Sequence, residues 1–258
     1  MPIIKERVRA VINSKDRNLP LTETSGNFTY SFNRNINRIT DIVIESVQIP
    51  YTFYSFNSTN NVLRFEYSGP KSITIAEGNY NTSSLAAEIK SKLDTAASIT
   101  STILFSFITM KFSIATGASN ITIYSSTDLT SPDALSTAST YLGFRENTQT
   151  PAATVYSDSV VKINGPDYIS ICSSFLSKPV YNKTTYANNT YDDVLLTIPI
   201  NTGPGGIIIS DSTHTIKYSY KYEIKTTDII DFQIKDDLGN ILDFNGIDIS
   251  MQIIFITE

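Results

Sequence analysis

The chain has 258 residues, a formal net charge of −5 and charged residues at only 17%. Its pI of about 5.0 argues against a nucleic-acid-binding surface as the main business of the fold. With one cysteine, Cys172, no intrachain disulfide framework is possible. Fifteen Tyr, thirteen Phe and no Trp, together with abundant Ile and Thr, favour strands over helices. Ser, Thr and Asn fill the place of the missing charges, as on β surfaces that pack against neighbours and equally on extracellular adhesins. The opening MPIIKERVRAVINSK lacks the apolar core of a leader peptide, and no run of eighteen apolar residues is long enough to span a bilayer.

Residues 1–20 show little periodicity. A polar turn at Asn13–Asn18 and Pro20 point to an extended N-terminal arm of the kind that lies against a neighbouring subunit, or to a disordered tail. Phe28–Asn33 alternates and predicts a first strand. Asp41–Pro50 predicts a second, with Ser46 marking a bulge that shifts its register, and the two are joined by a polar link. Tyr51, Phe53, Tyr54 and Phe56 follow as a dense aromatic cluster. It reads either as an inter-subunit contact or as a plug closing one end of a sandwich.

Val62–Tyr67 and Lys71–Ala76 read as paired strands. Leu85, Ile89 and Leu93, recurring every four residues behind a capping Asn81 or Thr82, predict a helix over about 82–94. Three short strands are expected at 103–108, 111–115 and 121–124, then a polar link with one helical turn near Ala134. Residues 145–157 read as a loop. Short strands are expected at 160–163, 168–172, 194–200, 207–210 and 216–222, with a long loop at 173–193 that is exposed or touches a neighbour. The stretch Thr226–Glu258 supplies two more strands around the turns Asp236–Asn240 and Asn245–Gly246. The second alternates from Ile247 through Phe255, which places it in the middle of a sheet, because an exposed apolar edge would aggregate.

Many short strands, turn punctuation and one helix fit an all-β protein: a single jelly-roll sandwich with an inserted segment carrying one short helix. The expected division is an arm at 1–20 and a jelly-roll domain at 21–258, with an insertion or small lobe at about 71–144.

Little here suggests catalysis. The sole histidine, His214, sits in a turn, so neither a His-rich metal cluster nor a Ser/His/Asp set can be assembled around it. Gly203–Gly206 is glycine-rich, but Pro204 removes an N–H donor and no helix follows. The acid doublets Asp192–Asp193 and Asp236–Asp237 fall at strand edges or turns, where solvated carboxylates are ordinary, and Cys172 reads as a small buried apolar residue. No residue is assigned a catalytic, cofactor-binding or metal-ligating role, and no cofactor is expected.

Five stretches in order carry a family resemblance. They are I-N-S-x-D-R-N at Ile12–Asn18; I-P-Y-T-F-Y-S-F-N ending the segment Ile39–Asn57; G-N-Y at Gly78–Tyr80 with the helix behind it; L-G-F at Leu142–Phe144; and F-x-I-x-D-x-x-G-x-x-L-D-F-N-G from Phe232 to Gly246. The last comprises Phe232, Ile234, Asp236, Gly239, Leu242, Phe244, Asn245 and Gly246. Together they resemble the single jelly-roll penton (vertex) capsid proteins of virophages, Polinton-like viruses and related large DNA viruses. The resemblance implies a homopentamer at the vertex of an icosahedral virion, contacting the double jelly-roll major capsid protein and minor capsid proteins. It implies location in the virion after synthesis in the host cytoplasm. A minor capsid or cement protein between capsomers shares the same motifs. A carbohydrate- or receptor-binding sandwich, with the 71–144 lobe as reader, is the alternative from another class. Residues 1–20, 51–56 and 173–193 are the candidate contact surfaces.

Overall fold

The computed structural model describes residues 6–117, 119–126, 136–145, 152–176, 194–210, 216–219 and 225–258. In chain order they form β1 (Glu6–Asn13), β2 (Asn27–Pro50), β3 (Val62–Glu66), β4 (Pro70–Thr74), α1 (Thr82–Ala97), β5 (Thr102–Ser106), β6 (Lys111–Ala115) and β7 (Thr122–Ile123). Then come α2 (Ser139–Leu142), β8 (Thr154–Tyr156), β9 (Tyr168–Cys172), β10 (Val194–Pro199), β11 (Ile207–Ser210), β12 (Ile216–Ser219), β13 (Lys225–Lys235) and β14 (Ser250–Thr257). The chain divides into two compact units, Met1–Phe53 with Pro166–Glu258, and Tyr54–Gly165.

The first unit is threaded by β2, a strand of 24 residues. Its later half pairs with β14, from Ile39↔Thr257 to Gln48↔Ser250. On its other side lie β11, β12 and β13 in turn, antiparallel to it from Pro50 back to Asn27. The order β1-β14-β2-β13-β9-β10, with β11 and β12 also on β2, therefore resolves into two halves that share one long strand. One half holds β1, β14, the end of β2, β11 and β12; the other holds the start of β2, β13, β9 and β10. Arg38, with a φ of 54°, lies where the pairing passes from β13 to β14, and the ladder to β13 is irregular there.

Inward-facing residues of both halves form a single core. Met251, Ile253 and Phe255 of β14 stand beside Ile12, Ala10 and Val8 of β1. Phe28 of β2 lies opposite Phe232 of β13, with ring centroids 5.4 Å apart. Ile234 continues to Ile171 of β9 and Leu196 of β10. One core closed by two antiparallel half-sheets is an all-β jelly-roll sandwich. In β2 the buried residues change parity, from Ile42 and Ile44 to Val47 and Ile49. Gln252 and Ile253 pair with Ser46 and Ile44, so Glu45 is the extra residue of a bulge that lets both pairs face the core.

The second unit holds the sheets β4-β3-β7 and β5-β6-β8 and the helix α1. Asn81 and Ser84 close a reciprocal capping box at the start of α1, and Leu85, Ile89 and Leu93 are buried along one stripe. Those three pack with Leu63, Phe65, Ile73, Phe112 and Ile114 in a second core.

The structure departs from the sequence reading in several places. Residues 28–33 and 41–50 are one continuous strand, because the polar residues between them still carry backbone that pairs with β13. The expected arm is a strand, with Glu6–Asn13 paired along β14. Residues 160–163 form no strand; 154–156, read as loop, pair with β6 instead. A short helix lies at Ser139–Leu142, and the turn expected near Ala134 lies outside the described residues. The compact inserted unit spans Tyr54–Gly165, wider at both ends than the expected 71–144. It takes in β3, the partner of β4, and β8, the partner of β6.

Candidate assembly surfaces

The first quoted motif meets the residues that follow the last one. Ser14 donates its hydroxyl to Asp248 at 2.7 Å and accepts the Ile249 N–H at 3.0 Å, and the Ser14 N–H donates to the Ile249 carbonyl. Asp248 Oδ1 also accepts from the Ser25 hydroxyl at 3.1 Å and from Arg17 at 3.2 Å. Asn13 turns the chain by accepting the Lys15 N–H, and Asn18 is tied to Thr29. The I-N-S-x-D-R-N stretch is thus a clasp that fixes the N-terminal strand to the residues just before β14. Ser14 is fully buried, while Lys15, Asp16 and Asn18 of the same stretch stay exposed.

The aromatic run 51–56 is divided between the two cores. Tyr51 and Phe53 stack with centroids 4.2 Å apart in the first core, and Phe53 meets Phe244 edge-on at 6.0 Å. Burial pushes the Tyr51 phenol above its ordinary pKa. Thr52 donates to the Phe244 carbonyl at 2.7 Å, and the Asn245 side chain donates to the Thr52 carbonyl at 2.6 Å. Here two motifs lock each other. Phe56 belongs to the second core, edge-on to Tyr80 of G-N-Y and tilted against Tyr141 beside L-G-F. Ser55 donates its N–H to Asn79 Oδ1 at 2.8 Å. Only Tyr54 is exposed. Most of this run is therefore core, so the plug reading describes Tyr51 and Phe53 while Tyr54 alone is open to a partner. A sugar-stacking platform at 51–56 is excluded by the same burial.

The remaining flagged residues have local roles. Asp236 accepts the Leu238 and Asn240 N–H groups and the Asn240 amide, closing the turn before β14. Burial, with Asp237 alongside, raises its carboxyl pKa despite those donors. Asp237 accepts the Asp167 N–H at 3.0 Å. Cys172 is buried at the end of β9. His214, Asp192, Asp193 and residues 177–193 of the expected contact loop lie outside the described residues. The described start of that loop is held by Asp231, which accepts from the Ser173 hydroxyl and from the Ser174 and Phe175 N–H groups. Among the described residues no group of three or more His, Cys, Asp or Glu could hold a metal ion. No helix of the described residues is long and apolar enough to cross a membrane.

One surface went unread in the sequence. The β5–β6 hairpin carries Phe107 and Ile108 at its tip, 76% and 96% exposed, with Met110 beside them at 48%. Hairpin tips are ordinarily built from Gly, Asn, Asp or Ser, so Phe-Ile-Thr-Met between two strands was itself a signal.

Residues 4–254 match the model of a family described as a family of unknown function (DUF5901). The chain belongs to that family. No curated protein matches this DUF5901 chain. It is similar to the mavirus penton protein, seen in the crystal structure of its selenomethionine-labelled form, with a TM-score of 0.46 at 9% identity. That likeness covers 98% of this chain and 99% of the other. It is also similar to a chain of the 3.5 Å cryo-EM structure of the Sputnik virophage, with a TM-score of 0.40 at 13% identity, covering 97% and 98%.

Proposed function

We propose that this DUF5901 chain is a structural capsid protein that forms the pentameric vertex of an icosahedral virion and contacts the surrounding major capsid protein. The observation that supports the reading is that each of the five motif stretches makes structural contacts in the folded chain. Ile12–Asn18 clasps the residues before β14, Tyr51–Phe53 locks onto Phe244–Asn245, and Phe56 packs on Tyr80 and beside Leu142–Phe144. Three of the stretches that carry the penton resemblance help build the jelly roll and the others the inserted unit, and the jelly roll is a fold of viral capsid proteins. The link from fold to capsid work is one of analogy.

A closed ring uses a heterologous contact, one face of each subunit against a different face of the next. The ring would take its contacts from outer surfaces, since Ser14, Tyr51, Phe53 and Phe56 are all spent inside. Location in the virion, after synthesis in the host cytoplasm, and minor capsid partners belong to the same proposal. Native mass spectrometry over a concentration series tests it. A five-fold mass, about 140 kDa from five chains of 28.6 kDa, is the expected result. A stable trimer or dimer as the largest species, with or without the major capsid protein, would overturn the vertex reading.

A further inference from the structure

The β5–β6 hairpin ends in a point that the vertex reading does not use. Ser106 closes it: its carbonyl accepts the Met110 N–H at 2.7 Å and its hydroxyl accepts the Thr109 N–H at 3.2 Å. Two N–H groups of the turn are therefore satisfied within the tip, which lowers the cost of taking that backbone out of water. Phe107 is braced edge-on against Phe105, centroids 5.1 Å apart, and Phe105 in turn against the buried Phe112. Phe107 is thereby held in place, so it loses little ordering on contact. Leu104, 61% exposed, and Tyr156, 64% exposed, stand in one row across Ser113 just behind the tip.

The charge pattern narrows the kind of partner. No carboxylate stands between Asp94 and Asp128, and Lys111 is the one charged residue in that stretch. Lys111 sits at the base of the tip with its ammonium on the Asp158 carbonyl at 2.6 Å. Two large apolar side chains in front, uncharged Ser and Thr behind, an amphipathic Tyr and a cation at the base form the depth profile of a bilayer interface. Acyl chains meet the apolar point, and phosphates meet Tyr and Lys.

We propose that Phe107–Met110 is a membrane-inserting point by which the Tyr54–Gly165 unit docks on a phospholipid bilayer. The proposal does not depend on the vertex reading, because it needs only this unit's own hairpin.

The chain has no Trp, so Phe107→Trp would place a single reporter at the point. Full-length protein is mixed with phosphatidylcholine vesicles, with and without phosphatidylserine, and Trp emission is followed. The expected result is a vesicle-dependent blue shift with both compositions, quenched by brominated acyl chains. A Leu238→Trp reporter, on an exposed turn of the other unit, stays unshifted. The Phe107→Ser/Ile108→Ser double variant, followed by vesicle flotation, loses binding on the order of tenfold or more. Unchanged emission with both vesicle types overturns the proposal. So does a blue shift without vesicles that grows with protein concentration, which would mark the point as a contact between copies. Binding to anionic vesicles alone that survives the double variant overturns it as well.

Discussion

Asp248 holds the N-terminal strand in place through one oxygen, and replacing it by Ala should release that strand. Three donors converge on Asp248 Oδ1: Ser14 at 2.7 Å, Ser25 at 3.1 Å and Arg17 at 3.2 Å. Ser14 is 0% and Ser25 7% exposed, so two hydroxyls would lose their acceptor away from water. A buried donor left without an acceptor costs about 1–3 kcal/mol. The part-exposed Arg17 pair adds little, since such pairs contribute at most ~1 kcal/mol. Asp248→Ala should therefore lose about 2–4 kcal/mol, or roughly 5–15 °C in Tm for a chain of this size. Asp248→Asn keeps an acceptor oxygen in place and should lose about 1 kcal/mol. Circular dichroism melts give the magnitude, and hydrogen-exchange mass spectrometry gives the place, with protection lost in β1 and β14 while peptides of Tyr54–Gly165 are unchanged. Equal losses for Asp248→Ala and Asp248→Asn, or a loss confined to the second unit, would refute the reasoning. Ser14→Ala combined with Asp248→Ala should fall short of additivity, because both remove the same bond.

Gly143 has a φ of +84°, and a Cβ there would stand 2.3 Å from the Ser159 carbonyl oxygen. Gly143→Ala should cost about 2–4 kcal/mol from strain and overpacking, and an unchanged thermal midpoint would sink that account. Asp231 is pushed up by burial, yet the Ser174 and Phe175 donors outweigh this and hold its carboxyl below the ordinary 3.8. With the folded pKa depressed, its contribution is complete above that value and fades as pH falls through the folded pKa. The slope of Tm against pH below about 4 should flatten in Asp231→Asn, and identical slopes in the two proteins would count against it.

Strand periodicity was legible where the buried face is long and strongly apolar. Met251, Ile253 and Phe255 announced a central strand, and β14 lies between β1 and β2. Leu85, Ile89 and Leu93 announced the helix, which runs three residues beyond the expected Asp94 to Ala97. Backbone pairing without an apolar face was not legible. Asn33–Arg38 looks like a link, yet it carries β2 from one half-sheet to the other. β1 was hidden because its outer face bears Arg7, Arg9 and Val11, and its inner face only the modest Val8, Ala10 and Ile12. At the candidate surfaces, aromatic density at 51–56 could not say which rings face inward, since a core plug and an interface anchor use the same residue types. The tip at Phe107–Ile108 was missed because periodicity absorbed it into the neighbouring strand.

The partnership of β1 with β14 also sets an order of events during synthesis. Asn13 has its ladder partner at Ser250, so β1 waits for β14 to be synthesised. Tyr54–Gly165, by contrast, is continuous in sequence and draws its core from its own residues. It can close while Pro166–Glu258 is still being translated. Throughout that interval β1 and β2 stand with open edges, β2 presenting Ile42, Ile44, Val47 and Ile49, as strand templates for any neighbouring nascent chain. Closure of the first unit is thus a late, long-range step that Ser250–Thr257 completes, and the topology makes it the slow one.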